Sequence, residues 1–298
     1  METNLFRGTG VALATPFKAD LEVDFQGLER LLKHTQKLDY FVVNGTTGES
    51  PTVNLKERQN ILSFVAEHNA GNLPVLYGMG GNNTQRVLHQ LEKTDFSHIQ
   101  GILSVCPYYN KPTQEGLFQH FSRIADHAPV PVILYNVPGR TSCNLEVETT
   151  LRLAEHPNIL GIKEAAQDLN QIQKIGKYKP QQFLLISGDD MNTLAVMRAG
   201  GSGVISVLAN AFPYFMKSLV DACFEGQWQQ AQDTLEVLLP INPLMYKESN
   251  PVGIKKILEI LGICGPQVRL PLVVASDTLD QKIRQACHAL MENKKSGG

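Results

Sequence analysis

The sequence has no excess of charge of either sign, no cysteine pair at metal-ligand spacing and no long apolar run. Its 27 basic and 29 acidic side chains leave a formal net charge of −2, which gives no global attraction to nucleic acid or an anionic membrane. Hydrophobic residues make up 43% of the 298 positions and charged residues only 19%, which excludes a disordered chain. The five cysteines, Cys106, Cys143, Cys223, Cys264 and Cys287, are odd in number and no two share a CxxC spacing. Neither a disulfide framework nor a zinc ribbon is therefore expected, and a reducing compartment is. Cys143 reads as packed rather than reactive. No stretch approaches the roughly 18 apolar residues that span a bilayer. The start of the chain shows no basic segment followed by an apolar one, so no signal peptide is expected, and Lys294–Gly298 reads as a solvated tail. A soluble, cytoplasmic protein is the expectation.

What is present is rhythm. Short β-branched runs recur at Gly10–Thr15, Tyr40–Asn44, Pro74–Gly78, Gly101–Cys106, Pro131–Asn136, Leu160–Glu164, Phe183–Ser187 and Gly203–Leu208. They do not alternate apolar with polar, which is the signature of strands buried on both faces in a parallel sheet. Helix signals lie between them. Asp24 is placed to cap a helix carrying Leu28, Leu31 and Leu32, Asn54 with Glu57 forms a capping box, and Thr113 precedes Leu117, Phe118 and Phe121. Asp190 precedes Leu194 and Met197, and Gly200-Gly201 stops that helix. Successive strand starts lie one strand, one helix and two loops apart. Eight such units by about residue 210 predict a (β/α)8 TIM barrel over residues 1–225. An open doubly wound sheet would carry a Gly-rich turn after its first strand, and none follows here. Residues 226–298 read as a C-terminal helical appendage of the barrel, with Asn250 as a cap and Pro251 at the first helical position of one helix.

In such a barrel the chemistry belongs at the C-terminal ends of the strands. Those ends carry Gly45-Thr46-Thr47-Gly48-Glu49-Ser50, Pro107-Tyr108-Tyr109-Asn110, Tyr135 with the loop through Pro138-Gly139-Arg140, Lys163-Glu164, Ser187-Gly188-Asp189 and Ile205-Ser206. Lys163 is the informative one, because an amine deep in an apolar strand is costly to bury as an ammonium. Glu164 projects to the opposite face and is a poor partner for it. A buried amine is the form that attacks a ketone; a lysine paired or reaching the rim is the bland alternative, and the residues alone leave both open. Tyr135 on the neighbouring strand is either core or a proton shuttle. Thr46-Thr47 suits a small carboxylate, and Arg140 either clamps another carboxylate or is a solvated loop charge. The eight histidines fall on helices or opposite-face loops, so no metal site is expected.

Together, Gly45-Thr46-Thr47-Gly48-Glu49, Pro107-Tyr108-Tyr109-Asn110, Tyr135–Thr141, Gly161-Ile162-Lys163-Glu164 and Gly203-Val204-Ile205-Ser206 resemble the dihydrodipicolinate synthase family. That family sits within the pyruvate-dependent class I aldolases, which include N-acetylneuraminate lyase. The resemblance covers nearly the whole chain. It implies condensation of pyruvate with L-aspartate-4-semialdehyde through a Schiff base on Lys163, in the diaminopimelate and lysine pathway. Tyr135, Thr47 and Tyr109 would relay protons, with Tyr109 reaching a neighbouring subunit's site. Thr46 and Thr47 would hold the pyruvate carboxylate, Arg140 the semialdehyde carboxylate, and Gly188 and the Ile205 carbonyl would line the pocket. No cofactor or metal is implied, and a homotetramer of two tight dimers is.

One departure from the family pattern concerns feedback. Lysine-inhibited members use a serine, two histidines, an asparagine, a glutamate and the first tyrosine of Tyr-Tyr. Here Ser50, Asn82 and Tyr108 are kept, while the histidine positions read Leu55 and Arg58 and the glutamate position reads Arg86. Two guanidinium groups repel a ligand carrying ammonium groups, so weak or absent inhibition by L-lysine is expected. The rivals are a sugar-acid aldolase on the same scaffold, which Arg140 disfavours, and a catalytically silent barrel, which the retention of Lys163 and Tyr135 disfavours.

Overall fold

The structure is a computed structural model, and it describes residues 5–296, with side chains through residue 290. The first four residues and the last two of the tail read above as solvated lie outside that description. Eight strands close into a barrel in chain order: β1 Gly8–Ala12, β2 Tyr40–Val43, β3 Val75–Gly78, β4 Gly101–Val105, β5 Val132–Asn136, β6 Ile159–Glu164, β7 Leu184–Ser187 and β8 Gly203–Ser206. The pairs from β2 with β3 to β7 with β8 are parallel. Helices alternate with them: α1 Phe25–Thr35, α2 Leu55–His68, α3 Thr84–Lys93, α4 Gln114–His127, a single turn α5 Pro138–Thr141, α6 Val147–Ala154, α7 Leu169–Tyr178, α8 Thr193–Arg198 and α9 Pro213–Phe224. The C-terminal helices are α10 Trp228–Leu238, α11 Asn242–Tyr246, α12 Val252–Ile260 and α13 Asp277–Ser296. This is the TIM barrel with C-terminal helices that the strand rhythm predicts. Among the described residues no helix is long and apolar enough to cross a membrane.

The chain packs as two compact units that interleave in sequence. The first comprises residues 1–10, 39–43 and 74–206. Its strands are buried along nearly their whole length, and each fully covered Leu, Ile or Val stabilises it by about 1.5–3 kcal/mol. The sheet closes where the Gly8 N–H donates to the Ser202 carbonyl at 2.8 Å. Gly203 there has a φ of +138°, and a Cβ on it would collide with the Gly8 backbone, so only glycine fits. The pairing explains why β1 begins two residues earlier than the apolar run predicts. Gly8 and Thr9 are paired backbone, and the Thr9 N–H also donates to Asp39 at 2.7 Å. Gly200, with a φ of +83°, ends α8 as expected, and the Gly201 N–H returns to the Val196 carbonyl at 2.9 Å. The start of α8 differs: Asp189 rather than Asp190 serves it, its Oδ1 accepting from the Met191 and Asn192 N–H groups.

The second unit comprises residues 11–38, 44–73 and 207–298. The caps read from the sequence are present. Asp24 accepts from the Gly27 N–H, and Asn54 and Glu57 form the reciprocal box. Long-range polar contacts bind the C-terminal segment to α1 and α2. The Arg30 Nε donates to the Ile263 carbonyl at 2.7 Å, and the Arg269 guanidinium forks onto both Glu57 oxygens at 2.6 and 2.8 Å while also reaching the Leu21 and Thr52 carbonyls. Asn250 is a further departure from the sequence reading. It does not cap α12, which starts at Val252 after a cis Asn250–Pro251 bond. Its side chain is buried and donates to the Thr47 hydroxyl instead.

Candidate active site

Within the first unit the side chain of Lys163 lies inside the barrel wall, 5% exposed, with its Nζ 4.3 Å from the centre of the Tyr135 ring. The two residues are register partners on β6 and β5, so backbone pairing itself places them opposite one another. No carboxylate bonds to Lys163 among the described residues. Its own neighbour Glu164 faces the other way, toward α7, where it accepts from the Gln171 amide at 2.9 Å. Gly188, just beyond β7, leaves room for the lysine: a Cβ there would stand 3.1 Å from Lys163 Cε and 2.7 Å from Ala165 Cβ. Ile205 is buried on β8. Arg140 is exposed on α5; its N–H donates to the Val137 carbonyl at 2.9 Å, and its guanidinium makes no hydrogen bond or ion pair among the described residues. Tyr109 is 89% exposed and has a φ of +76°, a strained conformation for a bulky side chain. The loop holding it is tied by Asn82, whose Nδ2 donates to the Tyr108 carbonyl at 3.1 Å, and by Asn110, whose Nδ2 donates to the Asn82 carbonyl at 2.9 Å.

Within the second unit Thr46 is half-buried and Thr47 2% exposed. Their turn is held by the Glu49 N–H donating to the Thr46 carbonyl at 3.0 Å and by the Thr15 hydroxyl donating to the Gly48 carbonyl at 2.7 Å. Glu49 adopts a φ of +53° and is buried, and its carboxylate meets the wholly buried Lys255 ammonium at 2.5 Å. Burial pulls the Lys255 amine down, and Glu49 opposes that shift. The Lys255 ammonium and the Arg269 guanidinium also both lie against the Phe17 ring, at 4.1 and 4.2 Å from its centre. Asn250 Nδ2 donates to Thr47 Oγ1 at 3.0 Å, so the hydroxyl's own proton remains available for a different acceptor. Of these supports the sequence reading found none. Lys255 looks like an ordinary helical lysine, and Asn250 looks like a cap.

A polar cluster also lies behind Lys163. Asn136 and Glu164, the next rung of the β5–β6 ladder, are both buried, and Asn144 and Gln171 join them. The signal available in sequence was a polar residue following each of Tyr135 and Lys163 inside an apolar strand. Among the described residues no group of three or more His, Cys, Asp or Glu side chains is arranged to hold a metal.

Residues 5–291 match the model of the dihydrodipicolinate synthetase family. The 4-hydroxy-tetrahydrodipicolinate synthase of Cytophaga hutchinsonii is 48% identical over 283 residues, covering 94% of this chain and 95% of that one. The dihydrodipicolinate synthase structure from Thermotoga maritima superposes with a TM-score of 0.93 at 38% identity, covering 96% of this chain and 99% of that one. The Acinetobacter baumannii enzyme, solved with pyruvate, gives 0.92 at 34% identity over 95% of this chain and 98% of that one. The chain belongs to the dihydrodipicolinate synthetase family, and with it to the lyases of the 4-hydroxy-tetrahydrodipicolinate synthase type.

Proposed function

We propose that this chain condenses pyruvate with L-aspartate-4-semialdehyde to give 4-hydroxy-tetrahydrodipicolinate in lysine biosynthesis, using Lys163 as the Schiff-base residue. The observation that carries the reading is a lysine buried inside a barrel strand, without a carboxylate partner and set against the Tyr135 ring. The Lys163 amine adds to the pyruvate ketone and the carbinolamine loses water, leaving an imine. Loss of a methyl proton gives the enamine, whose terminal carbon forms a C–C bond with the aldehyde carbon. The amino group of the semialdehyde then displaces Lys163 and closes the ring. Tyr135, Thr47 and Tyr109 move protons in these steps, with Tyr109 supplied by a neighbouring copy in a homotetramer; its exposure and strained backbone fit that role. Thr46 and Thr47 hold the pyruvate carboxylate, Arg140 the semialdehyde carboxylate, and Gly188 and the Ile205 carbonyl line the pocket. The imine itself serves as electron sink, so no cofactor is required. Five buried cysteines fit a reducing compartment and support a cytoplasmic location.

Borohydride reduction in the presence of pyruvate tests this reading. A pyruvate-derived mass increment on the peptide containing Lys163, with turnover of the semialdehyde, is expected. Absence of the increment rejects the Schiff base, and an adduct without turnover of the semialdehyde points to the sugar-acid aldolase.

The reading includes weak or absent feedback by L-lysine. Leu55 offers no imidazole, and the Arg58 guanidinium donates to the Ser50 and Val53 carbonyls at 2.5 and 2.9 Å, which fixes a positive charge at that turn. Arg86 is exposed on α3. Activity should persist at millimolar L-lysine, and half-inhibition below that range would refute the assignment.

A further inference from the structure

The cluster behind Lys163 has an unambiguous hydrogen-bond direction. The Leu145 N–H donates to Asn136 Oδ1 at 2.9 Å, which fixes the amide so that Nδ2 faces Glu164. From there Nδ2 donates to both Glu164 oxygens at 3.0 Å and to Asn144 Oδ1 at 2.8 Å. Glu164 Oε1 also accepts from the Ala166 N–H at 2.6 Å, and Oε2 from Gln171 Nε2 at 2.9 Å. Gln171 is in turn oriented by the Asn144 amide at 2.9 Å. Every group facing Glu164 is a donor, so the arrangement suits a carboxylate and has no place for a carboxyl proton. Burial alone pushes the Glu164 carboxyl up, and these donors oppose it. No cationic side chain bonds to it among the described residues. A buried anion held only by amides is expensive, and a glutamine or an apolar side chain would make a simpler strand end.

The position of the cluster explains its cost. Tyr135 and Lys163 form one rung of the β5–β6 ladder, and Asn136 and Glu164 form the next. Successive residues of a strand face opposite sides, so the reacting pair lies inside the barrel and the clamp lies directly behind it, on the helix side. We propose that Glu164 is a positioning residue for the reaction: by binding Asn136 across the two strands, and the segment leading into α7, it fixes the placement of the Lys163 amine against Tyr135. The inference rests on the Schiff-base reading of Lys163 and adds to it a residue that never touches substrate.

The test compares Glu164→Gln, Asn136→Asp and the double variant Glu164→Gln/Asn136→Asp. Glu164→Gln sets an NH2 group against donors on every side. The double variant restores one donor facing one acceptor across the strands. Misplacement of a reacting group by about 1 Å costs on the order of 10²-fold in rate. Glu164→Gln should therefore lose on the order of 10²-fold in kcat and slow borohydride-trapped imine formation in parallel, with the KM for pyruvate little changed. The double variant should recover at least a tenth of the wild-type kcat. If Glu164→Gln is less thermostable yet keeps the wild-type kcat and imine rate, or if the double variant is no better than the single, the clamp is structural only and the proposal fails. Should Glu164→Gln not fold, Gln171→Leu removes one donor from the α7 side. A several-fold lower kcat at unchanged KM then supports the proposal, and an unchanged kcat overturns it. Trapping on the unaltered enzyme is scored separately: its failure rejects the Schiff base, whereas normal trapping with a silent Glu164→Gln rejects only the clamp.

Discussion

At the scale of single residues, the features that stand out are ordinary side chains whose partners dictate what they can do. Thr47 is one. Its oxygen accepts from Asn250, so the amide aims the hydroxyl proton away from itself. Replacing Asn250 by aspartate keeps the shape and reverses the polarity, because a carboxylate accepts that proton rather than offering one. With Thr47 in the proposed proton relay, Asn250→Asp should lower kcat by on the order of 10²-fold, within the usual range for a lost proton-transfer group, and by more than Asn250→Ala. Steady-state kinetics on the two variants checks this. Equal losses would show that Asn250 only fills space. The same residue marks the limit of sequence reading. An Asn-Pro pair before an apolar periodic stretch is the local signature of a helix start, and nothing local reveals that the amide is taken by a threonine 203 positions away.

Elements are where physics is local enough to be read in advance. Strands covered on both faces are spelled as continuous apolar runs, and the caps at Asp24, Asn54 and Thr113 lie within four residues of the helices they start. Lys163 and Tyr135 were legible as a pair because the strand count alone makes them neighbours. The Glu164 cluster was not, since its members come from β5, β6, α7 and the loop before α6, and only folding assembles them. His120 on α4 is a further case, in sequence one more helix histidine. It is buried, its Nδ1 lies 2.8 Å from the Thr84 hydroxyl of α3, and its Nε2 has no partner. Protonation would leave a buried N–H without an acceptor, and burial pulls the imidazole down from 6.5 to about 4. The folded state therefore binds fewer protons than the unfolded chain between these values. Stability is fully present above about 6.5 and is lost as the pH falls toward about 4. The drop amounts to about 3 kcal/mol at 1.36 kcal/mol per unit. Urea denaturation across pH 7 to 4 should show it, and His120→Gln should flatten that limb; an unchanged acid limb in the variant would exclude His120 as its source.

Over the whole molecule, the chain crosses between its two units several times, yet each unit carries its own buried polar anchor. In the second unit that anchor is the Lys255–Glu49 pair, which joins residues 206 positions apart. Removing one member of a buried ion pair leaves the other uncompensated and costs about 3–5 kcal/mol. Lys255→Met should therefore lower the unfolding free energy by about that amount. It should also raise the KM for pyruvate, because Glu49 closes the turn that carries Thr46 and Thr47. Lys255→Met/Glu49→Gln should recover most of the stability, since no charge is then left behind. Denaturant melts of the two variants decide the matter, and a single variant as stable as the parent would exclude the pair as an anchor.

The cysteines have a use that their chemistry in the folded state conceals. All five are buried, and burial raises the thiols of Cys106, Cys143, Cys264 and Cys287, the last two to about 11. The thiolate is the form that attacks a thiol reagent, so each buried cysteine is silent until the structure around it opens. Cys106 and Cys143 belong to the first unit, and Cys223, Cys264 and Cys287 to the second. Each unit thus carries its own set of clocks. Labelling rates resolved peptide by peptide would time the opening of each unit without any added probe.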